Sequence, residues 1–249
     1  MNRRIVRLAI AVACGIVGWL LLSLISVEQS DYLHWFRPVT LGWANGTLRL
    51  YVDTPGFRNP PWTVLLLLPF ALLPTSWGAG LVRLLTVGSV MVAAQTLVES
   101  RQARLSGGLL ALLSVPMLDA LYRVQLVGFV ILGAALGQVA LRRRDPFLLA
   151  LALLLVAVKP QLSILLVLLW LWVALRYWPD HLRWRAIIGC IGWIAGTLVL
   201  FGLRWPLDWL AESGTIFTPD HPAMLSSPWK ASLSFGLPAW SPAALALAL

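Results

Sequence analysis

The sequence predicts an all-α fold, a polytopic bundle of about seven or eight membrane helices in which at least one helix is too short to span. Of the 249 residues, 59% are hydrophobic and only 12% are charged. A soluble domain of this size cannot bury so large an apolar fraction. Apolar runs close to spanning length recur along the chain, and the charged residues between them are mostly Arg. Together these features predict an integral membrane protein.

Several apolar runs approach the length of a membrane crossing. A helix needs about 20 apolar residues to cross about 30 Å of hydrocarbon. The best candidates are residues 5–26, 79–98, 124–141, 160–175 and 186–203. Shorter and more ambiguous runs occupy residues 62–74, 105–118 and 147–158. The first run exceeds the usual signal-peptide core, so we interpret it as an uncleaved anchor.

The Arg clusters predict the orientation of the helices. They comprise Arg3, Arg4 and Arg7, then Arg142, Arg143 and Arg144, then Arg176, Arg183 and Arg185. The positive-inside rule places these clusters in the cytoplasm, so we expect a multi-pass protein of the cell membrane with a cytoplasmic N-terminus. The net charge of +9 then reflects topology, with lipid as a partner, and does not indicate a nucleic-acid partner.

We expect residues 1–249 to form a single transmembrane domain with two outer loops, at about 27–61 and 205–240. If every short run crossed the membrane, the Arg at 142–144 would lie on the wrong side. One run, either 62–74 or 105–118, must therefore fail to span. Each has 13 to 14 residues, which as a helix is roughly 20 Å long.

Two ionisable residues stand out as candidates for chemistry. Asp31 follows the first helix among aromatic residues, where partial desolvation can keep a carboxylate basic enough to accept a proton. The simpler alternative is that it caps a short helix or solvates a loop. Lys159 interrupts an apolar stretch with no acidic residue within a helical turn. It can bind a lipid phosphate, or it can simply extend to ordinary headgroups.

Further polar residues on the outer side could complete an anion-binding rim. Arg58, Arg123 and Gln125 lie in short segments between apolar runs, and Arg matches phosphate geometry well. Individually, each could equally contact lipid headgroups. The three His residues lie in separate loops without ligand spacing, so we predict no metal site. No cofactor is expected, because Asp31 and Asp53 alone are too few ligands to argue for a divalent cation.

The order of these segments resembles polytopic glycosyltransferases of the GT-C superfamily, and most closely glycosyltransferase family 87. The similar features are Asp31 after the first helix, residues 46–51, Asn59-Pro60-Pro61-Trp62, Gln125 opening a run that ends at 142–144, Lys159-Pro160, and residues 232–237. The chain ends at Leu249 as a new apolar run begins, which predicts a C-terminally short member.

The resemblance implies a GT-C-like fold and an inverting hexosyl- or pentosyltransferase. Such an enzyme moves a sugar, mannose-like or arabinose-like, from a polyprenyl-phosphate donor to a glycan or glycolipid acceptor on the outer face. Asp31 matches the acidic residue that acts as the catalytic base or orients the acceptor, and Lys159, Arg58 and Arg123 would hold the donor phosphate. We expect the substrate to contact His34, Asp53, Gln125 and Gln161.

A non-catalytic membrane protein remains the alternative. It could be an inactive partner subunit or a transporter of lipid-linked sugars. Transporters typically show paired repeats and charges near the bilayer midplane, and the sequence has no obvious repeat. A shared cavity for Asp31 and Lys159 would favour the transferase.

Overall fold

The computed structural model describes residues 3–214, and within them the fold is entirely helical. A π-helical turn, Tyr32–Phe36, leads directly into α2. The helices are α1 (Arg3–Ser23), α2 (Arg37–Ala44), α3 (Trp62–Ala71), α4 (Thr75–Leu97), α5 (Arg101–Leu112), α6 (Val115–Tyr122), α7 (Val127–Arg143), α8 (Pro146–Val156), α9 (Pro160–Tyr177), α10 (Asp180–Phe201) and α11 (Trp205–Gly214).

Every apolar run identified in the sequence is helical, so the prediction of a polytopic helical membrane protein is confirmed. Three described helices, α4, α9 and α10, are long and apolar enough to cross a membrane alone. A fourth crossing results if α5 and α6, which meet at a bend of 60°, act as one span. The apolar parts of α1, α3 and α8 are shorter.

Helix α7 is the central element, and it packs between α4 and α8. Three of its glycines face a neighbour at close range: Gly128 faces Thr86 of α4, Gly133 faces the backbone of α8, and Gly137 faces the Trp170 ring of α9. Small residues allow membrane helices to approach closely and to gain van der Waals contact. The spacing of these glycines therefore determines how α7 packs against three helices.

The bundle has two ends, which we call the arginine face and the site face. Arg142 at the end of α7 donates to the Thr96 carbonyl at the end of α4 (3.2 Å), so these parallel helices end together at the arginine face. At the opposite end, Trp19 of α1 donates to the Trp77 carbonyl near the start of α4 (3.0 Å). The site face contains Asp31, which follows the end of α1. It also contains Lys159, because α8 starts beside Arg143 at the arginine face and ends, just before Lys159, at the opposite face.

Helix α3 begins and ends at the site face. At its start, Trp62 donates to the Leu154 carbonyl near the end of α8 (3.1 Å). At its other end, the Phe70 carbonyl accepts from the Tyr32 hydroxyl (2.7 Å). Its 10 residues give a length of about 15 Å, half a bilayer core. The run at 62–74 is therefore the one that does not cross, and α5 with α6 returns the chain to the site face.

The two predicted outer loops contain helical structure where they are described. Residues 27–61 include the π-helical turn and α2, followed by a chain of turns. Of residues 205–240, only 205–214 are described, and they form α11. The remainder of that loop lies outside the described residues, and the single domain over 1–249 stays a prediction.

The close packing of α7 and α9 is testable at a single glycine. A methyl group at Gly137 would overlap the buried Trp170 ring, so Gly137→Ala should destabilise the fold by about 1–3 kcal/mol through overpacking. The control is Gly192→Ala, on an open face of α10, where the added methyl group would have no neighbouring atom within 4 Å. We expect no loss of stability in this variant. Thermal melting in detergent compares the two. Equal melting temperatures would contradict this packing.

Candidate active site

Asp31 is positioned by the turn that follows α1. The Ser30 hydroxyl accepts from the Leu33 N–H (3.2 Å), which stabilises the start of the π-helical turn. The Asp31 N–H donates to the Arg123 carbonyl at the end of α6 (2.9 Å). Its carboxylate does not cap the turn that it precedes, so the side chain is available on the site face. Asp31 is half-buried.

Gln125 links the acidic and basic groups of the site. Its amide nitrogen donates to Asp31 Oδ2, and its amide oxygen accepts from the Lys159 ammonium. A single neutral side chain therefore connects the carboxylate and the ammonium without a direct ion pair between them. Gln125 follows Val124, whose φ of 53° lies in the left-handed region. A β-branched residue adopts this conformation only under constraint from its surroundings.

Lys159 lies where two membrane helices meet. Helix α8 ends at Val156, and Pro160 begins α9. The residue before a proline is displaced from helical geometry, and Lys159 accordingly has φ −126° and ψ 80°. Asn59 donates to the neighbouring Val158 carbonyl (2.9 Å), which holds the chain from α2 to α3 against this break.

A cavity of about 320 Å³ contains both charges. It is open to the surface of the site face and has polar and aromatic walls. The lining residues are Asp31, Trp35, Phe36, Gly56, Phe57, Arg58, Asn59, Gln125, Lys159 and Gln161.

Arg58 brings a second cation to this cavity, beside Glu212 of α11. The Arg58 Nε lies 3.9 Å from Glu212 Oε1, and both side chains are mostly buried. The same carboxylate oxygen accepts from the Gly56 N–H (2.6 Å), and Trp209 donates to the Arg58 carbonyl (2.8 Å). Helix α11 thus holds the segment that forms one wall of the cavity.

The surroundings shift both ionisable groups. Burial raises the pKa of Asp31, and this effect is opposed by the positive charges of Lys159 and Arg123 and by the hydrogen bond from Gln125. Burial lowers the pKa of Lys159, and the charge of Asp31 opposes that change. Each group therefore favours its neutral form more than in water, which makes the carboxylate a stronger base.

Five of the predicted site residues share the cavity, and three do not line it. Arg123 lies nearby but forms an exposed ion pair with Asp119 (2.9 Å). His34 is exposed and pairs through Nε2 with the Glu28 carbonyl. Asp53 accepts from the Arg49 N–H (2.7 Å) and is also exposed. Substrate roles for these three residues stay predictions.

Sequence reasoning did not select several residues that build the site. Trp35, Phe57 and Asn59 line the cavity, and Glu212 contacts its wall. The only signal was indirect, since Glu212 is an acidic residue in a segment rich in Trp, and Asn59 precedes two prolines. Among residues 3–214 there is no group of three or more His, Cys, Asp or Glu side chains that could hold a metal ion.

Comparison with protein families gives the identity of this membrane protein. The model of glycosyltransferase family 87 matches residues 57–248, well over half of the chain. The chain belongs to glycosyltransferase family 87. It is therefore a membrane glycosyltransferase, which uses a sugar donor and an acceptor, and the resemblance seen in the sequence is confirmed.

The family match covers most of the candidate site. Arg58, Gln125, Lys159 and Gln161 lie within the matched residues, whereas Asp31 precedes them. Comparisons with curated proteins and with solved structures find no match. The assignment of roles within the cavity therefore depends on its geometry and charge.

The electrostatic coupling across the cavity predicts a measurable shift. In Lys159→Met, the Asp31 pKa should rise further above its ordinary value, because the largest opposing charge is lost while burial remains. Arg49→Met removes a cation that pairs with Asp53 outside the cavity and should leave the Asp31 pKa unchanged. Infrared pH titration measures this, with the carboxylic acid band that disappears in Asp31→Asn assigned to Asp31. An unchanged Asp31 pKa in Lys159→Met would show that the two groups are not coupled.

Proposed function

We propose that this glycosyltransferase moves a sugar from a polyprenyl-phosphate donor to a hydroxyl group of a glycan or glycolipid acceptor, with inversion at the anomeric carbon. The observation that carries the proposal is the cavity in which a half-buried carboxylate and two cations lie together. A transferase of this kind needs a base for the acceptor and positive charge for the departing phosphate. The cavity contains both.

Asp31 is the proposed base. As the acceptor oxygen bonds to the anomeric carbon, the acceptor hydroxyl loses its proton to the Asp31 carboxylate. The bond between the anomeric carbon and the phosphate oxygen breaks at the opposite side of that carbon, which inverts its configuration. Desolvation suits Asp31 to this role because its raised pKa increases its affinity for the proton.

Lys159 and Arg58 are proposed to hold the phosphate of the donor. The leaving group gains negative charge as the glycosidic bond breaks, and fixed cations at that position stabilise the transition state more than the bound donor. Lys159 lies at a helix junction on the site face, close to where the headgroup of a lipid carrier would be. Gln125 and Gln161, which line the same cavity, are proposed to orient the sugar hydroxyls.

We also propose that the site face is extracytoplasmic and the N-terminus cytoplasmic. Support comes from the distribution of Arg. Five Arg residues lie at one face, at the ends of α7 and α9 and at the start of α10: Arg142, Arg143, Arg176, Arg183 and Arg185. The positive-inside rule favours the cytoplasm for such a face. The site face has nearly balanced charges.

Replacement of the proposed base tests the function directly. Asp31→Asn should reduce kcat for sugar transfer by about 10²–10⁴-fold, because the amide cannot accept the proton, while the fold is retained. The measurement is the release of polyprenyl phosphate from short-chain polyprenyl-phosphate mannose and arabinose in membranes that supply a glycan or glycolipid acceptor. Glu28→Gln is the matched control, because Glu28 is an exposed acid three residues before Asp31 that lies outside the cavity. Full activity in Asp31→Asn would exclude Asp31 as the base.

Orientation is testable by labelling single thiols. In a background without Cys14 and Cys190, Asp53→Cys should react with a membrane-impermeant maleimide in intact cells. Arg143→Cys should react only after the membrane is permeabilised, because the two positions are exposed on opposite faces of the bundle. The reverse pattern would place the site face in the cytoplasm.

A further inference from the structure

Among the residues that the structure describes, Arg83 is the largest fully buried side chain, at 1% exposure, and it lies in the membrane helix α4. Its guanidinium makes no ion pair among residues 3–214. It donates instead to five main-chain carbonyls: Leu121 from Nε (2.9 Å), Leu22 and Ile25 from Nη1 (3.0 and 3.1 Å), and Ser26 and Tyr122 from Nη2 (2.9 and 3.4 Å). A guanidinium has five N–H groups, so each has an acceptor.

These acceptors belong to two chain ends. Leu22, Ile25 and Ser26 form the end of α1 and the turn after it, and Leu121 and Tyr122 form the end of α6. The last carbonyls of a helix have no partner within the helix, and they carry its negative dipole end. A buried cation that contacts two such ends therefore holds them against each other.

Both chain ends continue directly into the candidate active site. Five residues after Ser26, the chain reaches Asp31, and three residues after Tyr122 it reaches Gln125. The two segments meet where the Asp31 N–H donates to the Arg123 carbonyl (2.9 Å) and where Gln125 donates to the Asp31 carboxylate. The left-handed Val124 lies between the Arg83 contacts and Gln125, and such a conformation persists only when its surroundings enforce it.

We infer that Arg83 is a positioning residue, which holds the segments carrying Asp31 and Gln125 in register so that the carboxylate faces the cavity in one orientation. This inference rests on the proposed function for its catalytic part. The guanidinium does not line the cavity, and its donors are directed at main-chain carbonyls. Its effect on transfer is exerted through the two turns.

The variants Arg83→Lys and Arg83→Met test the inference in the full-length protein. Lysine keeps the charge but has three donors in place of five, and methionine keeps only the apolar length. Val90→Ala is the matched control, since Val90 is buried on the same helix two turns further along and its truncation destabilises α4 without touching either turn.

Amide hydrogen exchange of the folded proteins tests the clamp itself and requires no activity. Both Arg83 variants should exchange about tenfold faster than the wild type at residues 27–31 and 121–125, whereas Val90→Ala should not, because local opening is confined to the segments that lose their bonds. Equal exchange in all three variants would overturn the inference. If neither Arg83 variant folds, hydrogen exchange of the wild-type protein tests the inference instead. Exchange at the Asp31 and Gln125 amides that is as rapid as at the exposed turn 45–47 would overturn the inference. Slow exchange at these two amides supports it.

Kinetics separate positioning from a purely structural role. In Arg83→Met, kcat per folded molecule should fall by about 100-fold with a donor KM changed less than about threefold, since misplacement by about 1 Å costs that much. Arg83→Lys should recover part of the loss. The acidic limb of the pH profile should move to higher pH, because Asp31 loses the groups that lower its pKa. An unchanged kcat in Arg83→Met would overturn the positioning role. If the wild-type protein transfers no sugar, the proposed function is contradicted, but the hydrogen-exchange result still tests the contacts of Arg83.

Discussion

A helix end in an apolar environment must find partners for its main-chain carbonyls, because lipid provides none. This constraint governs the whole site face, where several of the described helices end and others begin. Side chains distant in sequence provide the donors: Tyr32 for Phe70, Asn59 for Val158, Trp62 for Leu154, and Arg83 for both α1 and α6. The polar and aromatic residues of this face are thus structural partners of the helix ends before they have any role in chemistry.

The same constraint explains why the cavity is where it is. The chain leaves helical geometry at Lys159, before Pro160, and the short α3 turns back instead of crossing, so the helices leave space between them at one face. Non-helical backbone at such a depth is stable only beside protein or a wet cavity. Asp31 immediately precedes the π-helical turn, and Lys159 immediately precedes α9. Neither residue therefore lies within the apolar surface of a helix. Half-burial, and with it the altered basicity of both groups, follows from these breaks.

Much of this architecture could be predicted from the sequence, because apolar runs report membrane helices directly. Asp31 and Lys159 were also identifiable, since an ionisable residue beside an apolar run is costly and therefore conspicuous. Arg83 was not identified, although it too lies in an apolar run, because its acceptors are main-chain carbonyls, which leave no trace in residue identity. The contact of Glu212 with Gly56 spans 156 residues, and the return of α3 depends on Tyr32 and Trp62 together. Such pairings arise only from the three-dimensional arrangement.

The bridge formed by Gln125 has a consequence for the charge of the cavity during turnover. In the proposed reaction, a phosphodiester with one negative charge becomes a phosphomonoester with about two, while the Asp31 carboxylate becomes neutral. The total charge is therefore conserved, and one unit of negative charge simply relocates from the carboxylate to the phosphate. A neutral amide between Asp31 and Lys159 keeps the ammonium out of a direct ion pair with Asp31, so the same ammonium can serve the site before and after the sugar moves. Regeneration of the enzyme then requires two events, the departure of the carrier phosphate and the release of the proton from Asp31.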